Sequence, residues 1–282
     1  MEKPILRRLQ IADLAECLRL TQAERWSHRM EDWEFAHRLG LGWAACDAEG
    51  KLLGTASWWA YGERFATVGL VLVDQNYQGQ GIGRQLMEAV IREAGARTLQ
   101  LVATKAGLTL YQRCGFRERY DIGQHQGMAG EIPASELPSD TTLRVVSRAE
   151  LGALCDLDAA AFGADRHQLI SAVLESGTGV LAVRGGRLIA FALARKSGRG
   201  AVIGPVVAPD ESLASVLIAY HLMNNTGAFV RVDIPTDAVQ LADWLERAGL
   251  ARVDRVTVMV RGEVPERSPS VGLFALVSQA LN

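Results

Sequence analysis

No apolar run in this chain is long enough to span a bilayer. Its 30 basic and 32 acidic residues leave a net charge of −2, so it lacks the basic face that a nucleic-acid binder needs. The opening stretch MEKPILRRLQ has no apolar segment of the kind found in a secretory leader. Cysteines are few and scattered (Cys17, Cys46, Cys114, Cys155), without metal-ligand spacing, and read as free or buried thiols of a reducing compartment. The five histidines show no paired spacing, so no metal site is expected. These absences favour a cytoplasmic protein with neither a nucleic-acid nor a membrane partner. What is present is 282 residues, of which 49% are hydrophobic, enough for two cores of ordinary size.

The most informative stretch runs from Val71 to Arg84. An apolar strand, Val71-Leu72-Val73, leads into Gln78-Gly79-Gln80-Gly81-Ile82-Gly83-Arg84, and a helix-forming sequence follows at once. Glycines let a backbone approach a ligand closely, and a helix N-terminus offers unpaired N–H groups with partial positive charge. Together they cradle a phosphate or diphosphate. A P-loop is excluded because no Lys-Ser/Thr follows Gly83. A dinucleotide fingerprint is excluded by the spacing 79, 81, 83 and by the lack of an acid about 20 positions on.

Gln78, Gly81 and Gly83 resemble the Arg/Gln-x-x-Gly-x-Gly/Ala loop of the GNAT N-acetyltransferase superfamily. Leu110-Tyr111-Gln112-Arg113-Cys114-Gly115-Phe116 resembles that family's Leu-Tyr-x-x-x-Gly-Phe element, at a distance that fits one helix and one strand between. The resemblance spans roughly Leu6 to Ile122. It implies acetyl-CoA as cofactor, with residues 78–84 on its diphosphate. The pantetheine arm would run along Val71, Leu72 and Val73 as an added strand. Tyr111 stands where the family places its general acid and also borders the cofactor. Thr104 occupies a position where many members carry an asparagine that contacts pantetheine. Arg84 has two readings, a phosphate contact or a decoration of the helix's first turn. Tyr111 likewise has a second reading as a packing residue.

The chain repeats itself. Leu6–Leu14 aligns with Leu143–Leu151, Val68–Val73 with Val202–Val207, and Leu110–Phe116 with Trp244–Leu250, at offsets of 137, 134 and 134. This predicts two tandem GNAT-like domains of α/β (α+β) class, each a mixed, mostly antiparallel sheet flanked by helices. The catalytic domain would be residues 1–132, a Pro/Ser/Asp-rich linker residues 133–142, and a degenerate copy residues 143–282. The second copy has no glycine at residues 212–217, and leucine (Leu245) where Tyr111 stands in the first. Pro205 in its apolar strand predicts a splay or bulge.

Helices are expected over Ala12–Trp26, Met30–Leu39, Gly83–Ala94, Leu108–Cys114, Ala149–Phe162, Arg166–Ser176, Ser212–Asn225 and Ala238–Ala248. Strands are expected over Leu41–Cys46, Leu52–Tyr61, Ala66–Val73, Leu99–Val102, Phe116–Ile122, Val180–Val183, Leu188–Arg195, Ala201–Val207, Phe229–Ile234 and Val253–Val260. The stretch Val271–Leu281 reads as an apolar-faced helix.

Acyl transfer to an amine needs a bound thioester, a deprotonated amine, a donor for the oxyanion and an acid for the thiolate. A backbone N–H near Leu72 or Val73 and the Tyr111 phenol fit the last two roles. No single base stands out among Glu24, His28, Glu31, Glu34, Glu63 and His125. The early aromatic residues suggest an acceptor pocket drawing on Trp26, His28, Trp58 and Trp59, although core packing also explains rings of this kind. Alternation puts Trp58 and Trp59 on opposite sheet faces. The reading is therefore an N-acetyltransferase acting on a small-molecule or peptide amine. The second copy would supply part of the acceptor site or a homodimer surface. The alternatives are a non-catalytic acyl-CoA sensor or interaction module, and a transferase of a longer acyl group.

Overall fold

A computed structural model describes residues 3–282. The chain forms two compact units. The first comprises the residues through Arg119 together with Thr257–Val264 and Gln279–Asn282; the second comprises Tyr120–Val256 and Pro265–Ser278.

In the first unit the order is β1 (Ile5–Arg8), α1 (Leu14–Ala23), α2 (Met30–Leu39), β2 (Leu41–Cys46), β3 (Leu52–Tyr61), β4 (Phe65–Val73), α3 (Ile82–Ala94), β5 (Thr98–Ala103) and α4 (Leu108–Arg113). The strand β6 (Arg117–Met128) begins there and runs on into the second unit. The second unit continues with β7 (Thr141–Val145), α5 (Leu151–Phe162), α6 (His167–Ser176), β8 (Gly177–Arg184), β9 (Arg187–Ser197), β10 (Gly200–Ala208), α7 (Glu211–Met223), β11 (Phe229–Pro235), α8 (Val239–Arg247), β12 (Ala251–Arg261) and β13 (Gly272–Ala275).

In the first unit, β1 pairs with β2, β2 with β3 and β3 with β4, all antiparallel, whereas β4 and β5 are parallel. The free edge of β5 is taken by residues 257–261 of β12 in antiparallel register. The second unit repeats the plan: β7, β8, β9 and β10 pair antiparallel in turn, and β10 and β11 are parallel. Here the outer edge of β11 is taken by residues 122–128 of β6. Each unit thus covers a sheet edge with a strand from the other half of the sequence, which removes an exposed ladder of N–H and C=O groups. For this reason the compact units do not divide at the polar stretch 133–142.

The helix α3 shows how the sequence builds the first core. Ile82, Leu86, Met87, Val90 and Ala94 recur at helical spacing and pack on Ala66, Val68, Leu99 and Leu101 of β4 and β5. Burying a side chain such as Leu86 or Val90 stabilises by about 1.5–3 kcal/mol. Gly95, with φ +67°, ends the helix.

Two expectations meet different outcomes in the second unit. Pro205 does disturb its strand: the β9–β10 register shifts between Ile203 and Val206. The helix expected over Val271–Leu281 is absent. Its first part is β13, antiparallel to β10, and no helix follows. The β10 edge offers backbone bonds that an isolated apolar stretch satisfies more readily by pairing than by coiling, so tertiary context overrides local periodicity.

Candidate active site

The site begins where β4 leaves its neighbours. Gly69 pairs with Ser57 and Leu72 with Thr55, so β4 carries one extra residue against β3. Leu70 occupies that bulge with φ +51°, a left-handed conformation uncommon for leucine. The Thr55 hydroxyl donates to the Leu70 carbonyl at 2.8 Å. On the other side, the parallel ladder to β5 stops at Val68 and Leu101. Residues 69–73 therefore have no β5 partner, and the two strands splay. A strand edge of this kind accepts an extended ligand.

The loop after β4 is fixed at its root. Asp74 N–H donates to Leu53 O at 2.8 Å, and the Asp74 carboxylate accepts from Asn76 N–H at 3.0 Å and from Arg19 at 3.0 Å. Burial raises the Asp74 pKa, but the Asn76 and Arg19 hydrogen bonds outweigh it, and the net shift is downward. Gln78 Nε2 donates to Val73 O at 3.1 Å and to Glu24 at 3.3 Å, bracing the loop against β4 and the end of α1. Gly79 and Gly81 then turn the chain at φ +75° and +81°, a region costly to residues with a Cβ.

Gly81 is the N-cap of α3 and has no side chain with which to cap it. The first helical bond is Gln85 N–H to Gly81 O at 3.1 Å, so the N–H groups of Ile82, Gly83 and Arg84 lack intrahelical acceptors. Gly79, Gln80, Gly81 and Arg84 are exposed, Gly83 is half-buried and Ile82 is buried in the core. Arg84 pairs with Glu88 at 2.7 Å, both side chains being largely exposed.

Gly83 ties the parts together. A Cβ at this position would lie 3.2 Å from Leu110 Cδ2 and 3.6 Å from Val73 Cγ2. The end of β4, the first turn of α3 and the helix α4 thus meet at one point. Tyr111 follows Leu110, is buried, and lies edge-on to Phe116 with ring centroids 6.2 Å apart. Burial, with a smaller contribution from Cys114, pushes its phenol pKa well above the usual tyrosine range. Thr104 is half-buried just past the end of β5.

The acceptor candidates separate. Trp58 and Trp59 are both buried, on opposite faces as alternation requires. Trp58 packs among the residues beneath α3, whereas Trp59 Nε1 donates to Ala36 O of α2 at 2.8 Å. Trp26 and His28 are half-buried between α1 and α2, and the His28 ring lies 5.8 Å from Trp26 and 6.3 Å from Trp33. Among the base candidates, Glu24 lies at the glycine loop, Glu31 and Glu34 are exposed on α2, and Glu63 is in the turn at the opposite end of β4 from the splay. His125 is buried in the second unit, Nδ1 3.2 Å from Leu250 O, its pKa lowered by burial. Sequence reasoning missed Thr55, Asp74 and Arg19. Only Asp74, an acid two residues before Asn76 at a strand end, carried a readable turn signal.

The second unit treats the equivalent place differently. The helix α7 is capped by Asp210, whose carboxylate accepts from Leu213 N–H at 2.8 Å. Glu211 accepts from Leu241 N–H at 2.7 Å. The splay between β10 and β11 is filled by β13, with Leu276 N–H donating to Asp233 O at 2.9 Å. A cavity of about 380 Å³ remains, with Glu211 and Asp237 in its wall.

Among the described residues, no group of three or more His, Cys, Asp or Glu is placed to hold a metal ion, and no helix is long and apolar enough to cross a membrane.

Comparison with known proteins agrees with this geometry. Two family profiles, each described as an acetyltransferase (GNAT) domain, match residues 40–118 and 154–275. A Bacillus subtilis protein described as the uncharacterized N-acetyltransferase YitH is 29% identical over 222 residues, 77% of each chain. A putative acetyltransferase from Pyrococcus horikoshii shares the fold with a TM-score of 0.81 at 20% identity, covering 100% of this chain and 97% of its own. A tandem GNAT protein from the clavulanic acid biosynthesis pathway superposes with a TM-score of 0.66 at 15% identity, covering 92% and 98%. The chain belongs to the GNAT acetyltransferases, as a protein with two such domains in tandem. Its enzyme class is N-acetyltransferase.

Proposed function

We propose that the first unit is the catalytic one, transferring the acetyl group of acetyl-CoA to a primary amine of a small molecule or peptide. The observation that carries this reading is the convergence at Gly83 of the splayed β4, the uncapped N-terminus of α3 and the helix that bears Tyr111. The residues fit the cofactor. Gln78 to Arg84 present a glycine-turned backbone and free helix N–H groups to a diphosphate. The open edge at Val71, Leu72 and Val73 suits an extended arm, with Thr104 at the mouth of the splay. The bound thioester supplies an activated acetyl group.

Each remaining task falls to a residue of this chain. A β4 N–H beside the bulge donates to the oxygen that becomes negative. Tyr111, held protonated by its raised pKa, gives a proton to the departing sulfur. Such a donor contributes about 10²–10⁴ in rate. Trp26 and His28 border the acceptor on this reading. The second unit serves as scaffold, because Asp210 caps α7, Glu211 caps the first turn of α8 and the chain's own β13 fills its splay.

Calorimetry with acetyl-CoA and an amine panel assayed by CoA release test the proposal. Tyr111→Phe should lower kcat at least a hundredfold while binding acetyl-CoA as the parent does. A folded parent that takes up no acetyl-CoA would overturn the reading. So would a Tyr111→Phe enzyme of unchanged rate.

A further inference from the structure

Residues 279–282 lie in the first unit, against β4. Ala280 crosses Gly69 so closely that a Cβ on Gly69 would sit 2.8 Å from both its Cα and its Cβ. One residue on, the Leu281 carbonyl accepts a hydrogen bond from Tyr61 Oη at 2.7 Å. Leu281 and Asn282 are buried. Gly69 directly precedes the bulge at Leu70, and Tyr61 pairs with Phe65 at the other end of β4. The segment therefore lies against β4 beside the bulge and is latched there by the Tyr61 hydroxyl.

Strand alternation defines the face it covers. Ala66, Val68, Leu99 and Leu101 pack beneath α3, so Phe65, Thr67, Gly69 and Gln100 share the opposite face. Thr67 stands between Phe65 and Gly69, and Gln100 is its partner in register on β5. Both residues are shut from solvent, at 0% and 1% exposure. Thr67 Oγ1 and Gln100 Nε2 nevertheless have no hydrogen-bond partner. A buried polar atom left unsatisfied costs about 1–3 kcal/mol, and a ligand oxygen would satisfy both.

This inference rests on the catalytic reading above. There the cofactor enters from the N-terminus of α3 and its thioester ends at the β4 bulge. An attacking amine must then come through the splay from the face that α3 does not cover. That is the face occupied by residues 279–282. We infer that this segment, latched by Tyr61, is the acceptor-side wall of the site, and that an acceptor shifts it to set an oxygen against Thr67 and Gln100. The acceptor class is an amine carrying a hydroxyl, carboxylate or amide oxygen within a few atoms of its nitrogen. Tyr61, Thr67 and Gln100 are positioning residues; they place the acceptor and leave acetyl-CoA untouched.

The test pairs amines with and without such an oxygen. Thr67→Val should lower kcat/KM about tenfold for the oxygen-bearing member, the worth of about one hydrogen bond, and leave the plain alkylamine unchanged. Tyr61→Phe should shift acceptor KM and relax the preference between bulky and slender amines. In both variants the acetyl-CoA Kd should stay within twofold of the parent. If Thr67→Val unfolds, Thr67→Ser keeps the hydroxyl and should keep the preference, while Ala280→Val should raise acceptor KM by crowding Gly69. A parent that acetylates amines, with folded variants of identical acceptor profile, overturns this inference alone. A parent that binds no acetyl-CoA overturns the catalytic reading and this inference with it.

Discussion

The hydroxyl of Thr55 donates to the carbonyl of Leu70 at 2.8 Å, and this bond spans the bulge that opens the first unit's cleft. Leu70 pays for its left-handed backbone only because neighbouring bonds over-determine it. Removing the hydroxyl while keeping the shape isolates that contribution. Thr55→Val should lower stability by about 1–2 kcal/mol, read as a drop in Tm. It should also weaken acetyl-CoA binding, because the strand edge at Val71 to Val73 is aligned by the bulge. A variant with lowered Tm and unchanged acetyl-CoA Kd would show that the bulge serves the fold alone.

Two glycines should respond oppositely to alanine. Gly81 has open space around the position of a Cβ but sits at φ +81°. Gly81→Ala therefore meets no clash and suffers only the backbone cost, about 1–2 kcal/mol. The same change should loosen acetyl-CoA binding at least tenfold by relaxing the loop. Gly152 also has open space, lies inside α5 and is not among the glycines of positive φ. Gly152→Ala should stabilise by about 0.4–1 kcal/mol and leave cofactor binding alone. Thermal melts and calorimetry on the two variants distinguish these outcomes.

Much of the candidate site's backbone geometry is legible in the sequence, and the reason is local. Gly79, Gly81 and Gly83 are required by backbone geometry and close approach, which single residues encode directly. The helices α2 and α3 and the strands β2 and β3 follow from periodicity within one segment. Relationships between distant segments were not readable. Nothing near Thr55 announces that its hydroxyl meets Leu70, and nothing in Val271–Leu281 announces that β10 has an edge to fill. An apolar stretch with helical spacing became a strand there because the partner was already in place. Likewise the covering of β5 by residues 257–261 and of β11 by residues 122–128 is a long-range choice, invisible to a reading that cuts the chain at its most polar linker.

Glu93 gives a pH-dependent prediction. Its carboxylate accepts from Trp43 Nε1 at 2.8 Å, from Trp58 Nε1 at 3.3 Å and from Arg8 at 2.6 Å. Burial raises its pKa, but these donors together more than reverse that, and the net shift is downward. A carboxylate with a lowered folded-state pKa stabilises the fold above its unfolded value, and the stabilisation fades as pH falls through the folded value. Glu93→Gln should cost about 1–2 kcal/mol at pH 7, the half-exposed Arg8 limiting the effect. The gap between parent and variant should close as melts are repeated at pH 5, 4 and 3. A gap independent of pH would assign the loss to packing instead.

Tyr111 makes the sharpest kinetic prediction. As the proton donor it must be protonated when the sulfur departs. Its pKa is pushed above the usual tyrosine value of about 10, mainly by burial and secondarily by Cys114. The protonated, active form therefore persists throughout the neutral and mildly alkaline range. The kcat profile should show no alkaline fall below about pH 10. Any rise at lower pH would belong to deprotonation of the amine or of a base, and should survive in Tyr111→Phe with a much reduced plateau. An alkaline limb near pH 8 or 9 that persists in Tyr111→Phe, with the plateau unchanged, would mean that a different group supplies the proton. That result would remove the buried tyrosine from the role of acid and return it to packing against Phe116.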